Sequence, residues 1–147
     1  MDKGYDAIQD ILVNLFNEIM NIEEKAIITP EFKDITNNDM HIIDAIGVED
    51  AKNMSSIAKI VGVTVGTLTI AINSLVKKQY ATRVRSEDDR RVVLISLTAK
   101  GRKAYQHHKK FHEKMVQATV AGLKEDEKEI LVHSLQNLSK FFRNYEN

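Results

Sequence analysis

Two long apolar stripes, one toward each end of the chain, constrain the fold more than any other feature. From residue 8 the apolar side chains fall at Ile8, Leu12, Leu15, Ile19 and Ile22, in alternating steps of four and three. That spacing keeps them on one side of a helix with 3.6 residues per turn. The C-terminal end repeats it with Leu131, Leu135, Leu138, Phe142 and Tyr145. The single proline, Pro30, closes the first pattern. A chain of 147 residues whose middle is built otherwise has little core to offer either stripe. The stripes are therefore expected to pair with each other and with a second copy of the chain, as a homodimer. On this reading residues 1–35 and 99–147 form a helical dimerisation region, and residues 36–98 form a separate small domain.

The middle has shorter elements. Thr36 can cap a helix carrying Met40, Ile43 and Ile46, which Gly47 ends. A polar loop is predicted from Val48 to Asn53, then a helix from Met54 to Val61 with Ile57, Ala58 and Val61 inward. Gly62 stops it. Thr64 starts a third helix reaching about Lys78, with Leu68, Ala71, Ile72 and Leu75 on its buried face. Thr82 to Arg85 reads as a strand, residues 86–91 as a charged turn, and Val92 to Leu97 as a β-branched strand. Thr98 then caps a long helix whose first half is basic.

Net charge is zero, but residues 77–114 hold 12 basic against 4 acidic side chains, and residues 1–35 hold 3 against 8. A concentrated basic stretch matters more for phosphate binding than the whole-chain balance. Taken alone, it is equally a set of solvated helix faces. The chain has no cysteine, which excludes a disulfide scaffold, a thiolate zinc site and a cysteine nucleophile. The first residues lack the basic-then-apolar pattern of a signal peptide, and no apolar run approaches membrane-spanning length. A cytoplasmic protein without a membrane partner is expected.

Ser55 to Lys78 reads as helix, glycine turn, helix, the arrangement of a helix-turn-helix. The exposed face of its second helix offers Thr64, Val65, Thr67, Thr69, Ile70 and Asn73. Thr methyls and Val suit thymine methyls in a major groove, and Asn can pair with adenine. Lys77 and Lys78 lie near the helix end, where they also suit its dipole. By itself helix-glycine-helix is a weak signal, common to many helical hairpins. The hairpin beyond it adds Arg83, Arg85, Arg90 and Arg91 around Asp88 and Asp89. On a wing, arginines reach backbone phosphates or the narrow minor groove. Asp88 or Asp89 would hold one of them extended. The expected DNA-contacting set is Thr64, Val65, Thr67, Thr69, Asn73, Lys77, Arg83, Arg90 and Arg91, with Asp89 positioning the wing.

The string Asp89-Arg90-Arg91-Val92-Val93-Leu94-Ile95-Ser96-Leu97-Thr98-Ala99-Lys100-Gly101 resembles the wing signature of the MarR family. That signature is D-x-R, an apolar strand, then L-T-x-x-G; Asp89 and Arg91 stand at the D-x-R positions. The order of elements is similar over essentially the whole chain. The resemblance implies a mainly α fold with a small β-wing, a winged helix-turn-helix with long N- and C-terminal dimerisation helices. It implies that Thr64–Lys78 is the recognition helix and that Arg91 sits at the wing tip. The function implied is a sequence-specific transcriptional repressor on an inverted-repeat operator in double-stranded DNA.

Three further groups of strings narrow the resemblance: Phe32-Lys33-Asp34-Ile35-Thr36 with Met40-His41 and Ile43-Asp44; Arg85-Ser86-Glu87; and His108-Lys109-Lys110-Phe111-His112 with Met115-Val116. They are similar to the repressors of fatty-acid synthesis within that family. This implies a long-chain acyl–acyl carrier protein as corepressor, and an apolar tunnel for the acyl chain. Ile19, Ile22, Met40, Ile43, Phe111 and Met115 are the candidates to line it. All six equally suit an ordinary core. The basic stretch Lys100–Lys114 would dock the acidic carrier protein or steer DNA.

Two other readings stand beside this one. His108 and His112 have a spacing that can chelate zinc, with Glu113 adjacent and His41 elsewhere, so a regulator responding to zinc or another small ligand is an alternative. No carboxylate-rich cluster surrounds these histidines in the sequence. A dimeric protein-binding adaptor without DNA activity is the other. No phosphate-binding glycine loop, acid/base carboxylate pair or nucleophile signature is present, so no enzyme activity and no cofactor are expected.

Overall fold

Side-chain caps set most of the helix N-termini in the computed structural model, which describes residues 2–145. Asp2 caps α1 (Lys3–Ile27), accepting from the Gly4 amide. Thr36 caps α2 (Asn37–Ile46) in a reciprocal box: its hydroxyl accepts from the Asp39 amide, and the Asp39 carboxylate accepts from the Thr36 amide, both at 3.0 Å. Asn53 caps α3 (Met54–Val61) and Thr64 caps α4 (Val65–Lys77). Strands β2 (Ala81–Arg85) and β3 (Val93–Leu97) follow, then α5 (Ala99–Val120) and α6 (Glu125–Tyr145). Thr98 accepts from the Gly101 amide at 3.1 Å and donates to the Gln79 carbonyl at 2.6 Å. It therefore ties the start of α5 to the turn before β2.

The predicted loop from Val48 to Asn53 needs correction. Lys52–Asn53 form a two-residue strand, β1, paired antiparallel with β3. The sheet order is β1-β3-β2, with Ala81 opposite Leu97 and Arg85 opposite Val93. Lys52 also donates to the Ile46 carbonyl at 2.6 Å, at the end of α2.

Packing divides the chain into two compact units, Met1–Phe111 and His112–Asn147. In the first unit the core gathers Ile43 and Ile46 of α2, Ile57 of α3, Leu68 and Ile72 of α4 and Ile95 of β3, all fully buried. Tyr80 is buried beside them, and its hydroxyl donates to Asp34 at 2.6 Å. Burial first, then the Asp34 carboxylate, push the Tyr80 phenol well above its ordinary range. The same bond holds Asp34 below the usual carboxylate value. Lys100 of α5 lies over the Tyr80 ring, 4.3 Å from its centroid. Gly101 lets α5 come this close: a Cβ there would fall 2.0 Å from the Tyr80 carbonyl oxygen. That packing accounts for the glycine in the L-T-x-x-G string.

The second unit contains the end of α5, a turn at Gly122 in the left-handed region, and α6. The Lys124 amide donates to Glu127 at 2.7 Å, which closes the N-terminus of α6. Leu135, Phe142 and Tyr145 of the C-terminal stripe are exposed, as are Ile8, Leu12 and Leu15 of the stripe on α1. Among the described residues no single helix is long and apolar enough to cross a membrane.

Candidate nucleic-acid interface

The reading head is built from α3, its glycine turn and α4. Gly62 adopts φ +80°, and its amide donates back to the Ala58 carbonyl at 2.8 Å. This left-handed C-cap lets the chain bend through 102° into α4. Leu68, Ile72 and Leu75 hold α4 on the core. The opposite side presents Thr64, Val65, Thr67, Thr69, Ile70 and Asn73, all exposed, with Ile70 at 74%. So large an exposed aliphatic surface, in a row of short polar groups, suits a groove with thymine methyls. The threonines are partly engaged. Thr64 accepts from the Thr67 amide and donates to its hydroxyl, and Thr69 donates to the Val65 carbonyl at 2.8 Å.

The wing lies between β2 and β3. The Ser86 amide donates to the Val92 carbonyl at 2.8 Å, and the Val92 amide to the Asp89 carbonyl at 2.9 Å, which closes the tip. Asp89 is the carboxylate that holds an arginine. It accepts from the backbone amide, Nε and Nη2 of Arg91, each at 3.0 Å. That fork keeps the Asp89 carboxyl below its ordinary value and the Arg91 guanidinium above its own. The Arg91 side chain stays 90% exposed. Arg85 donates to the Arg90 carbonyl at 2.8 Å, bracing the turn from below. A concavity of about 400 Å³ runs between the reading head and these strands, lined by Met54, Thr69, Arg83, Val84, Arg85 and Val93.

Some expected residues take other positions. Arg83 is turned to α4, where it donates to the amide oxygen of Asn73. Lys77 is exposed in the last turn of α4, whereas Lys78 pairs with the buried Asp39 at 2.7 Å. The six candidate effector residues fall into different settings. Met40 and Ile43 are core residues, 2% and 0% exposed, and Ile22 is 55% exposed on α1. Ile19 and Phe111 are half-buried in the first unit, and Met115 is half-buried in the second. Amphipathic spacing alone does not separate a core side chain from a pocket wall.

His108 has a setting that its neighbours in sequence do not reveal. It is 5% exposed, and both ring nitrogens meet carboxylates, Nε2 at 2.7 Å from Glu23 and Nδ1 at 2.9 Å from Asp44. The expectation that no carboxylates gather there is therefore corrected. An ionised carboxylate only accepts, so two such partners favour the doubly protonated, charged form of the ring. Asp44 first, then Glu23, raise its pKa against the opposing effect of burial. In the same region His107 bonds the Ala26 carbonyl at 2.9 Å. A cleft between residues 31–32 and α5 is lined by Glu31, Phe32, Arg102, Lys103, His107 and Lys110.

The comparisons with known proteins agree with this geometry. The family model described as transcriptional regulator SarA/Rot matches residues 24–108. The HTH-type transcriptional regulator YpoP of Bacillus subtilis is 32% identical over 110 residues, 75% of this chain and 72% of its own. SarZ of Staphylococcus saprophyticus, also an HTH-type transcriptional regulator, is 41% identical over 69 residues, 47% of each chain. Among solved structures, Streptococcus pneumoniae FabT in complex with DNA superposes with a TM-score of 0.83 at 40% identity, covering 96% of this chain and 99% of that one. A Staphylococcus aureus MepR mutant bound to an oligodeoxyribonucleotide shares the fold, with a TM-score of 0.65 at 23% identity, over 92% of this chain and 97% of that one.

Proposed function

The chain belongs to the winged helix-turn-helix transcriptional regulators of the MarR and SarA/Rot type, and on that premise we propose that it is a homodimeric, sequence-specific repressor of fatty-acid synthesis genes. The observation that carries this reading is the near full-length likeness to DNA-bound FabT, in a chain whose exposed α4 face stands beside an arginine-bearing wing. Each subunit sets α4 in a major groove and Arg91 against the flanking backbone or minor groove. Thr64, Val65, Thr67, Thr69 and Asn73 face the bases, and Lys77 and Arg90 the phosphates. Two copies then read an inverted repeat with half-site centres about 10 bp apart or a multiple of it. The exposed apolar rows on α1 and α6 support the dimer, since rows of that length are rarely left in water.

Long-chain acyl–acyl carrier protein is the corepressor in this reading. The chemistry that favours an acidic partner is the basic face of α5, where Arg102, Lys103 and Lys110 line one cleft. A gel-shift titration on promoter DNA of a fatty-acid synthesis operon tests the assignment, with no effector, free fatty acid, acyl–carrier protein and zinc as its arms. Acyl–carrier protein is expected to tighten binding by about 5- to 150-fold, the range of a coupling of roughly 1–3 kcal/mol. If zinc alone tightens binding, the metal-responsive alternative replaces this one. If no arm changes the affinity, the corepressor assignment fails while DNA binding stands.

A further inference from the structure

We propose that Arg83 determines sequence specificity through Asn73, by fixing the amide of Asn73 in one orientation on the recognition helix. The inference rests on the DNA-binding reading above. A guanidinium carries only donors, so the Asn73 atom facing Arg83 is the amide oxygen, and the order of oxygen and nitrogen is set by chemistry. Asn73 stands in the second half of α4 and Arg83 in the middle of β2, so this one bond joins the recognition helix to the wing strand. Both residues are exposed, on the side of α4 turned away from Leu68, Ile72 and Leu75.

An exposed asparagine amide otherwise turns about its last torsion, which is broad and nearly two-fold. It then offers its acceptor and its donors in either order and reads a base pair ambiguously. With one lone pair of the oxygen held toward β2, the second lone pair and the NH₂ group remain, in a fixed order. One acceptor beside one donor matches the N6 donor and N7 acceptor of adenine in the major groove. Guanine presents two acceptors there and meets this pair badly. The reversed base pair puts thymine, with its O4 and methyl group, where adenine should be. Arg83 is thus a positioning residue for base reading, in place of the phosphate or minor-groove contact expected of a wing arginine.

The test measures binding to duplexes in which each half-site base pair is changed in turn to the other three. Wild-type protein, Arg83→Met, Asn73→Ala and the double variant are compared by fluorescence anisotropy. The wild type is expected to prefer A·T over its alternatives by about tenfold at one position of each half-site. Both single variants are expected to reduce that preference to within about twofold, and the double variant to lose nothing more. Arg83→Met should keep the wild-type salt dependence, and thermal melting should be unchanged for all variants. The proposal is overturned if Arg83→Met weakens every duplex equally and lowers the salt slope by about one unit for each phosphate no longer neutralised, since Arg83 would then bind the DNA backbone. It is also overturned if that variant keeps the wild-type base preference. If the wild type shows no preference at any position, the DNA-reading assignment falls, and the proposal with it.

Discussion

Replacing Gly101 with alanine is expected to destabilise the protein by about 3 kcal/mol or more, the upper end of what overpacking costs. The sign is the informative part. Glycine inside a helix is ordinarily worse than alanine by about 1 kcal/mol, so the same change at an open site on α5 would stabilise it. Here the added Cβ would lie 2.0 Å from the Tyr80 carbonyl oxygen and 3.2 Å from a Leu97 methyl. Backbone cannot yield as a flexible side-chain end does. That carbonyl also accepts from the Thr98 amide at 3.0 Å, so a shift of α5 would strain the bond that holds the residue before it. Thermal unfolding should fall by roughly 10 °C for a chain of this size. An unchanged or raised midpoint would show that α5 does not pack on the start of β2 as described. The glycine of the wing signature is then a packing device, which fixes where the strands leave the core.

The second large effect is expected at His108. Its ring joins three helices of the first unit, bonding Glu23 of α1 and Asp44 of α2 from α5. His108→Gln retains a donor for one carboxylate at most and removes the positive charge from both. A loss of about 2 kcal/mol is expected near pH 6, below the cost of breaking a fully buried pair, because water reaches Asp44 and screens it. The pH dependence follows from the direction of the shift. The His108 pKa is raised above its ordinary 6.5 in the folded state. Its stabilisation is therefore complete below about 6.5 and is lost as pH rises through the folded value. Urea unfolding of both proteins at about pH 6 and pH 9 should give a gap that narrows at the higher pH. A gap that widens would mean that the ring is neutral when folded.

How much of this was legible in the sequence depended on range. The caps at Thr36 and Thr64 and the stops at Gly47 and Gly62 act on residues within one turn, so their spacing was enough to place four helix ends. The wing was legible because four arginines crowd a turn with two aspartates and the string there resembles D-x-R; that Asp89 and not Asp88 holds Arg91 came from the folded turn. Strand β1 was not legible. Two residues carry no alternation, and Lys52–Asn53 are a strand only because β3 lies beside them. The partners of His108 are far away in the chain, Glu23 by 85 residues, and no local pattern announces a contact of that span. Arg83 illustrates the same limit at shorter range. Its place in the wing strand suggested a contact with phosphates or the minor groove, and only the packing of β2 beside α4 turns it to Asn73. Met40 and Ile43 read equally as core or pocket wall, since both roles need an apolar side chain at helical spacing, and packing placed them in the core.

Binding of duplex DNA by α4 and the wing underlies the proposed function. Its most direct test is a salt titration of binding to an inverted-repeat duplex, for the wild type and Arg91→Ala. Affinity is expected to fall steeply with salt, with a logarithmic slope of roughly −5 or steeper for a dimer contacting six or more phosphates. Arg91→Ala should weaken binding to every duplex, flatten the slope by about two units for the two wings, and leave the thermal midpoint unchanged. Binding that ignores salt, or an Arg91→Ala variant that binds as tightly as the wild type, would contradict it.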